Sequence, residues 1–281
     1  MENLEVALAG LAVVMAAMTV LWLLSLKLAD ASIVDPFWAP GFFLVTATYV
    51  ALAPAPAPRA WLVLALIAIW AVRLGSHLLR RNLRSGEDPR YAAMREKGGA
   101  SFPFVSLFTV FWLQGVLLWL ISAPLFAAVT APGPLGLLDL AGGVVVLTGI
   151  VLEAVADRQL EAFKADPSNR GKVLDRGLWR YSRHPNYFGN AVLWWGAYLI
   201  AVGAGGAWTV FGPLLMTYLL LKVSGVTLLE KDIEERRPAY ADYVRRTSAF
   251  VPLPPRSADP EGRRPGDAET SGPETEAGSS T

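Results

Sequence analysis

The 281-residue chain has no cysteine and only two histidines. Without thiols it forms no disulfide, offers no thiolate nucleophile and has no sulfur ligand for a metal or cluster. Two histidines do not make a multi-histidine centre, so no metal site is expected. Also absent are a serine nucleophile elbow, a phosphate P-loop, a His-Glu-x-x-His motif and the Rossmann glycine pattern. The formal net charge is +1, and the cations are divided among a few loops without forming a basic face. Nucleic acid is therefore not an expected partner.

What is present is apolar. Hydrophobic residues make up 53% of the chain, with ten tryptophans and a mean hydropathy of +0.39, which places it among proteins whose partner is the lipid bilayer. A span needs about 20 mainly apolar residues. Seven stretches fit, at roughly 5–28, 38–54, 60–79, 105–129, 136–157, 188–204 and 207–227, the second being short and carrying Pro40. The fold class expected is an all-α polytopic membrane protein. Glu2 and Glu5 precede the first stretch in place of a basic start, so it reads as a retained span and not a signal peptide.

Lys and Arg set the orientation. They gather after the third span (Arg80, Arg81, Arg84, Arg90, Arg95, Lys97), after the fifth (Arg170, Lys172, Arg176, Arg180, Arg183) and after the seventh (Lys231, Arg236, Arg237, Arg245, Arg246). The alternate connections are nearly free of cations. This predicts an outside N-terminus, a cytoplasmic C-terminus and one cytoplasmic face where three cationic segments converge. Residues 1–256 read as a single membrane-embedded domain. Residues 257–281, rich in Asp, Glu, Gly, Pro, Ser and Thr, read as a disordered tail.

The densest polar chemistry lies in NRGKVLDRGLWRYSRHPNYFGN, residues 169–190. Arg180, Tyr181 and Arg183 lead into His184, Asn186, Tyr187 and Asn190 at the mouth of a span. Cations alone would serve topology, but directional hydrogen-bonding groups beside them point to an anionic ligand. Arg73 lies inside a predicted span and needs a partner or an aqueous cavity, with His77 one turn further on the same face. Glu153, Asp157 and Lys164 share a helix face at intervals of four and seven, and the two acids repel unless stabilised. Asp88 is read as an N-cap with Pro89 behind it, opening a surface helix that carries Arg90, Tyr91 and Arg95. Asp35 stands at the start of the second span, and Tyr243 lies in a helix laid under the membrane after the seventh.

RYSRHPNYFGNAVLWWGAYL, followed by an acidic-basic helix ending Tyr-x-x-Tyr and then Phe-Val-Pro, resembles the C-terminal half of the steroid 5-alpha-reductase superfamily. With SIVDPFW, GEDPRYAAMR and FWLQG, all but the tail is similar to the bacterial membrane branch of unassigned substrate. Arg-His-Pro-Asn-Tyr-x-Gly is shared with membrane methyltransferases of the isoprenylcysteine type, which bind S-adenosylmethionine.

The resemblance implies seven helices and NADPH in a cavity open to the cytoplasm. Asp157, Asn186 and Tyr243 match family positions, Lys164 stands for an arginine, Glu153 for an asparagine and Asn190 for a glutamate. Expected cofactor contacts are Arg73, Arg81, Arg95, Glu153, Asp157, Lys164, Arg180, Tyr181, Arg183, His184, Asn186, Tyr187, Asn190, Arg236 and Tyr243. Expected catalytic groups are Asp35, Tyr91 and His77. The function expected is NADPH-dependent reduction of a C=C bond conjugated to a carbonyl in a lipid- or steroid-like substrate, in a bacterial cytoplasmic membrane. The alternative is an S-adenosylmethionine-dependent methyltransferase.

Overall fold

A computed structural model describes residues 3–223 and 238–256. Arg236 and the tail from residue 257, both singled out from the sequence, lie outside the described residues. The chain is all-helical, with no strand among the described residues. Helices α1 (Asn3–Leu28), α2 (Val34–Leu52) and α3 (Pro58–Ser85) come first. Next are α4 (Pro89–Gly98), α5 (Phe102–Ser106), α6 (Leu113–Ile121) and α7 (Ala123–Thr130). The long α8 (Leu137–Ala165), α9 (Pro185–Gly203), α10 (Phe211–Tyr218) and α11 (Pro238–Arg246) complete the order.

Among the described residues, five helical stretches are long and apolar enough to cross a membrane. Their outward faces carry Leu4, Val20, Leu23, Val72, Leu83 and Val144, all well exposed. Such faces are stable only with hydrocarbon as solvent, and the chain is a polytopic membrane protein. The stretch expected at 105–129 differs in its bounds: Pro89–Ile121 forms one nearly continuous helical run. Ser122 then interrupts it, and Pro124 sits in the first turn of α7, where its missing N–H costs nothing.

Local signals start the elements as read. Asp88 accepts from Arg90 N at 3.0 Å, capping α4 with Pro89 at its first position. Pro185 opens α9. Packing then sets the site. The most extensive helix pair is α8 with α9, followed by α2 with α3. A Cβ on Gly149 would lie 2.6 Å from Gly189 O, and one on Gly189 only 2.5 Å from Glu153 N, so the α8 and α9 backbones touch.

Helices α3 and α8 run parallel, tied at two levels. At one end Arg59 pairs with Asp139, Nε to Oδ1 at 2.5 Å and Nη2 to Oδ2 at 2.9 Å. Midway along α3, Arg73 meets Glu153 and Asp157. The cationic connections that follow α3 and α8 consequently lie at the same end of the bundle. Helix α11 joins them there, because Arg183 N donates to Ser248 O at 2.9 Å.

Candidate functional site

One face of α3 presents Trp70, Arg73 and His77 at helical spacing, opposite Glu153, Asp157 and Glu161 on α8. Arg73 Nη2 donates to Asp157 Oδ2 at 2.5 Å, and its Nη1 lies 3.2 Å from Glu153 Oε2. Trp70 Nε1 donates to Glu153 Oε2 at 2.9 Å. His77 stands between two acids, Nε2 3.7 Å from Asp157 Oδ2 and Nδ1 3.1 Å from Glu161 Oε1. The intramembrane arginine thus has the anionic partners its burial demands.

Helix α9 supplies the amides. Asn190 Nδ2 donates to Glu153 Oε1 and Asn186 Nδ2 to Asp157 Oδ1, each at 3.0 Å. All four carboxylate oxygens of Glu153 and Asp157 therefore hold a donor. The complementary atoms are left over: Oδ1 of Asn186, Oδ1 of Asn190 and Nε1 of Trp194 are buried without a hydrogen-bond partner. Buried polar atoms are paired in the great majority of cases, so three orphans within three turns of one helix make this row the candidate ligand site. Trp194 itself is walled by Phe42, ring centroids 4.5 Å apart, and by Trp70 at 5.9 Å.

A second cluster joins α2, α4 and α6. Tyr91 Oη donates to Asp35 Oδ1 at 2.8 Å, Arg90 Nη2 reaches Asp35 Oδ2 at 3.1 Å, and Gln114 Nε2 lies 3.4 Å from the Tyr91 hydroxyl. Beside them is a cavity of about 250 Å³ lined by Ser32, Asp35, Arg81, Asn82 and Asp88, among others. Tyr187, stacked on His184 with parallel rings 5.6 Å apart, lies within electrostatic reach of Arg81, Arg90, Asp35 and Asp157. The two clusters accordingly belong to one region.

Other sequence-selected residues have structural work here. Arg95 Nη2 donates to Glu87 Oε1 at 2.7 Å, and its guanidinium lies 4.6 Å from the Phe102 ring. The same Glu87 oxygen accepts from Ala31 N at 2.8 Å. Partial burial pushes the Glu87 carboxyl up, but the Arg95 and Ala31 donors outweigh it and hold it below its ordinary value. Arg183, expected on the cofactor, is buried, its Nη1 donating to the carbonyls of Thr247 at 2.8 Å and Val244 at 3.1 Å. The buried Tyr243 hydroxyl donates to Trp179 O. Both residues dock α11 on the 177–183 turn. Lys164, Arg180 and Tyr181 are exposed at the same end.

Sequence reasoning missed Trp70, Gln114, Glu161 and Trp194, and also the Arg59–Asp139 pair. Trp70 was findable, since it precedes Arg73 by three positions and shares its face. Arg59 and Asp139 each stand at the start of an apolar stretch, so opposite charges at matched depth were a usable signal.

No solved structure matches the chain. A curated relative, "Uncharacterized protein C594.04c" of Schizosaccharomyces pombe (strain 972 / ATCC 24843), is 27% identical over 262 residues, covering 83% of this chain and 76% of the relative. The family described as "Protein of unknown function (DUF1295)" matches residues 21–247, most of the chain. By that match the chain belongs to this family, a steroid 5-alpha-reductase-like group.

Proposed function

We propose that the chain is an NADPH-dependent membrane reductase acting on a carbon–carbon double bond conjugated to a carbonyl in a lipid- or steroid-like substrate. In this reading it crosses a bacterial cytoplasmic membrane seven times with the site facing the cytoplasm. The observation that carries it is the pairing pattern at α8 and α9. Every Glu153 and Asp157 oxygen is bonded, whereas the Asn186 and Asn190 carbonyl oxygens are open. Open amide acceptors suit the N–H groups of a carboxamide. A sulfonium and an ammonium, as in S-adenosylmethionine, want carboxylate charge, and the charge of these two acids is already shared with Arg73.

The residues present fit a nicotinamide nucleotide. Asn186 and Asn190 would hold its carboxamide, and Arg81, at the cationic end, would face its phosphates. NADPH, when bound, is the source of the hydride. The protein's own contribution is binding, orientation and a hydrogen bond to the substrate. Tyr91 holds a proton on an oxygen that Asp35 and Gln114 orient. Offered to the substrate carbonyl, that hydroxyl stabilises negative charge on the oxygen as the adjacent double bond is reduced. Arg90 keeps Asp35 paired while the Tyr91 bond is redirected. His77, held between Asp157 and Glu161, positions the α8 acids and lies with the amide cluster, not with Tyr91.

The test is titration of the purified protein in nanodiscs with NADPH, NADH and S-adenosylmethionine, following the fluorescence of Trp70 and Trp194 beside the amides. Saturable binding of NADPH, weakened about tenfold by Asn190→Leu, is expected. Saturation by S-adenosylmethionine with no response to NADPH would sink the reading.

A further inference from the structure

A second cavity lies outside the region just described. About 530 Å³ in volume, it opens between the α8–α9 connection and the end of α11, and four arginines line it: Arg176, Arg180, Arg246 and Arg256. Its one acid, Asp175, is engaged by Arg246 at 2.7 Å. Arg180 and Arg256 have no acidic partner among the described residues.

A basic loop at a membrane surface ordinarily spreads its charges into water. Here the backbone holds them together. Arg256 N donates to Arg246 O at 2.9 Å and Leu253 N to Tyr181 O at 3.0 Å, fastening the segment after α11 along the loop. Leu178 N donates to Gln159 Oε1 at 3.0 Å and Trp179 Nε1 to Ala156 O at 3.0 Å, anchoring the loop to α8. Arg246 in the last turn of α11 complements that helix's dipole, but this accounts for none of the other three. Guanidinium groups from three stretches of chain are therefore kept in one concavity against their mutual repulsion. A cleft of one sign focuses its field on a counter-ion.

We infer that this cleft is a binding site for a phosphate-bearing anion, recognised by Arg176, Arg180 and Arg256 with Arg246 shared between ligand and Asp175. Guanidinium forks match phosphate oxygens in pairs, which selects phosphate over a monovalent halide. The site stands on the cleft's own geometry and does not depend on reductase activity. Its ligand can be a soluble phosphate compound or the phosphate of a lipid headgroup.

Two arms separate these sources. In the first, the full chain in phosphatidylcholine nanodiscs is titrated with inorganic pyrophosphate by calorimetry. In the second, native mass spectrometry follows retention of phosphatidylglycerol from mixed micelles. The double variant Arg180→Ala, Arg256→Ala removes two exposed side chains, so its melting temperature should match the parent. Arg84→Ala, exposed at the end of α3, is the control. Pyrophosphate binding weakened at least tenfold in the double variant and unchanged in the control supports a soluble ligand. Phosphatidylglycerol retention lost in the same way supports a headgroup. Binding in neither arm, or binding that the double variant leaves intact, overturns the proposal.

Discussion

Asn190 on α9 donates to Glu153 on α8 at 3.0 Å because the two backbones touch immediately beside them, at Gly149 and Gly189. That contact sets the distance between the amide row and the acid row. It also leaves the Asn190 carbonyl oxygen turned to a space without a protein donor.

Gly189→Val tests the contact. Its Cβ would stand 2.5 Å from Glu153 N and 2.8 Å from Gly149 O, both immovable backbone atoms. Overpacking of this kind costs about 1–3 kcal/mol. The melting temperature should fall, and nucleotide binding should fall with it, since Asn190 and Glu153 are prised apart. An unchanged melting temperature would show that the helices are not in backbone contact.

Arg73→Met removes the cation that bridges two buried acids, Glu153 at 5% and Asp157 at 6% exposure. Breaking a buried ion pair by deleting one partner costs about 3–5 kcal/mol. Combining it with Asp157→Asn should recover part of the loss, because one of the two carboxylates left without a cation is then neutral. A double variant no more stable than the single one would refute charge burial as the cause.

Glu87 predicts a pH dependence. Its carboxyl is held below the ordinary 4.5 in the folded state by Arg95 and Ala31 N, against partial burial. A depressed carboxylate contributes stability that is present above its unfolded pKa and lost as pH falls through the folded one. Melting curves between pH 6 and pH 3, a window of about three units around that value, should show wild type above Glu87→Gln at the upper end. The two should converge at the lower end. Parallel curves throughout would mean the Glu87 bonds add nothing.

Arg183→Ala should act on stability first. The side chain donates to the carbonyls of Val244 and Thr247, at the last turn of α11. Losing charge-assisted bonds to these costs about 1.5–3 kcal/mol. Limited proteolysis should then cut the chain after α9 more readily, while a crosslink of α11 to the 177–183 turn should restore resistance. Weakened nucleotide binding with unaltered proteolysis would instead place Arg183 on the ligand.

Much of the fold was legible along the chain. Apolar runs marked the helices, Asp88 with Pro89 marked the start of α4, and Pro185 that of α9, because hydropathy and capping act within a few residues. Of the site, Arg73, Glu153, Asp157, Asn186 and Asn190 were legible as polar groups in or beside spans. Their roles were less so. Arg95 and Arg183 carried the same signal as any loop cation, yet the fold places one on Glu87 and buries the other under α11.

The sequence by itself determined that this is a membrane-spanning helical chain whose three cationic segments share one end, since those properties are sums over local composition. Only the tertiary structure decided which charge meets which. Arg73 and Asp157 are 84 positions apart, and Arg246 and Asp175 are 71 apart. Nothing local specifies such pairs: they follow from the depth and register at which helices pack, fixed between α8 and α9 by two glycines. The same packing decides which atoms keep no partner, and an orphaned amide oxygen is visible only once every neighbour is in place.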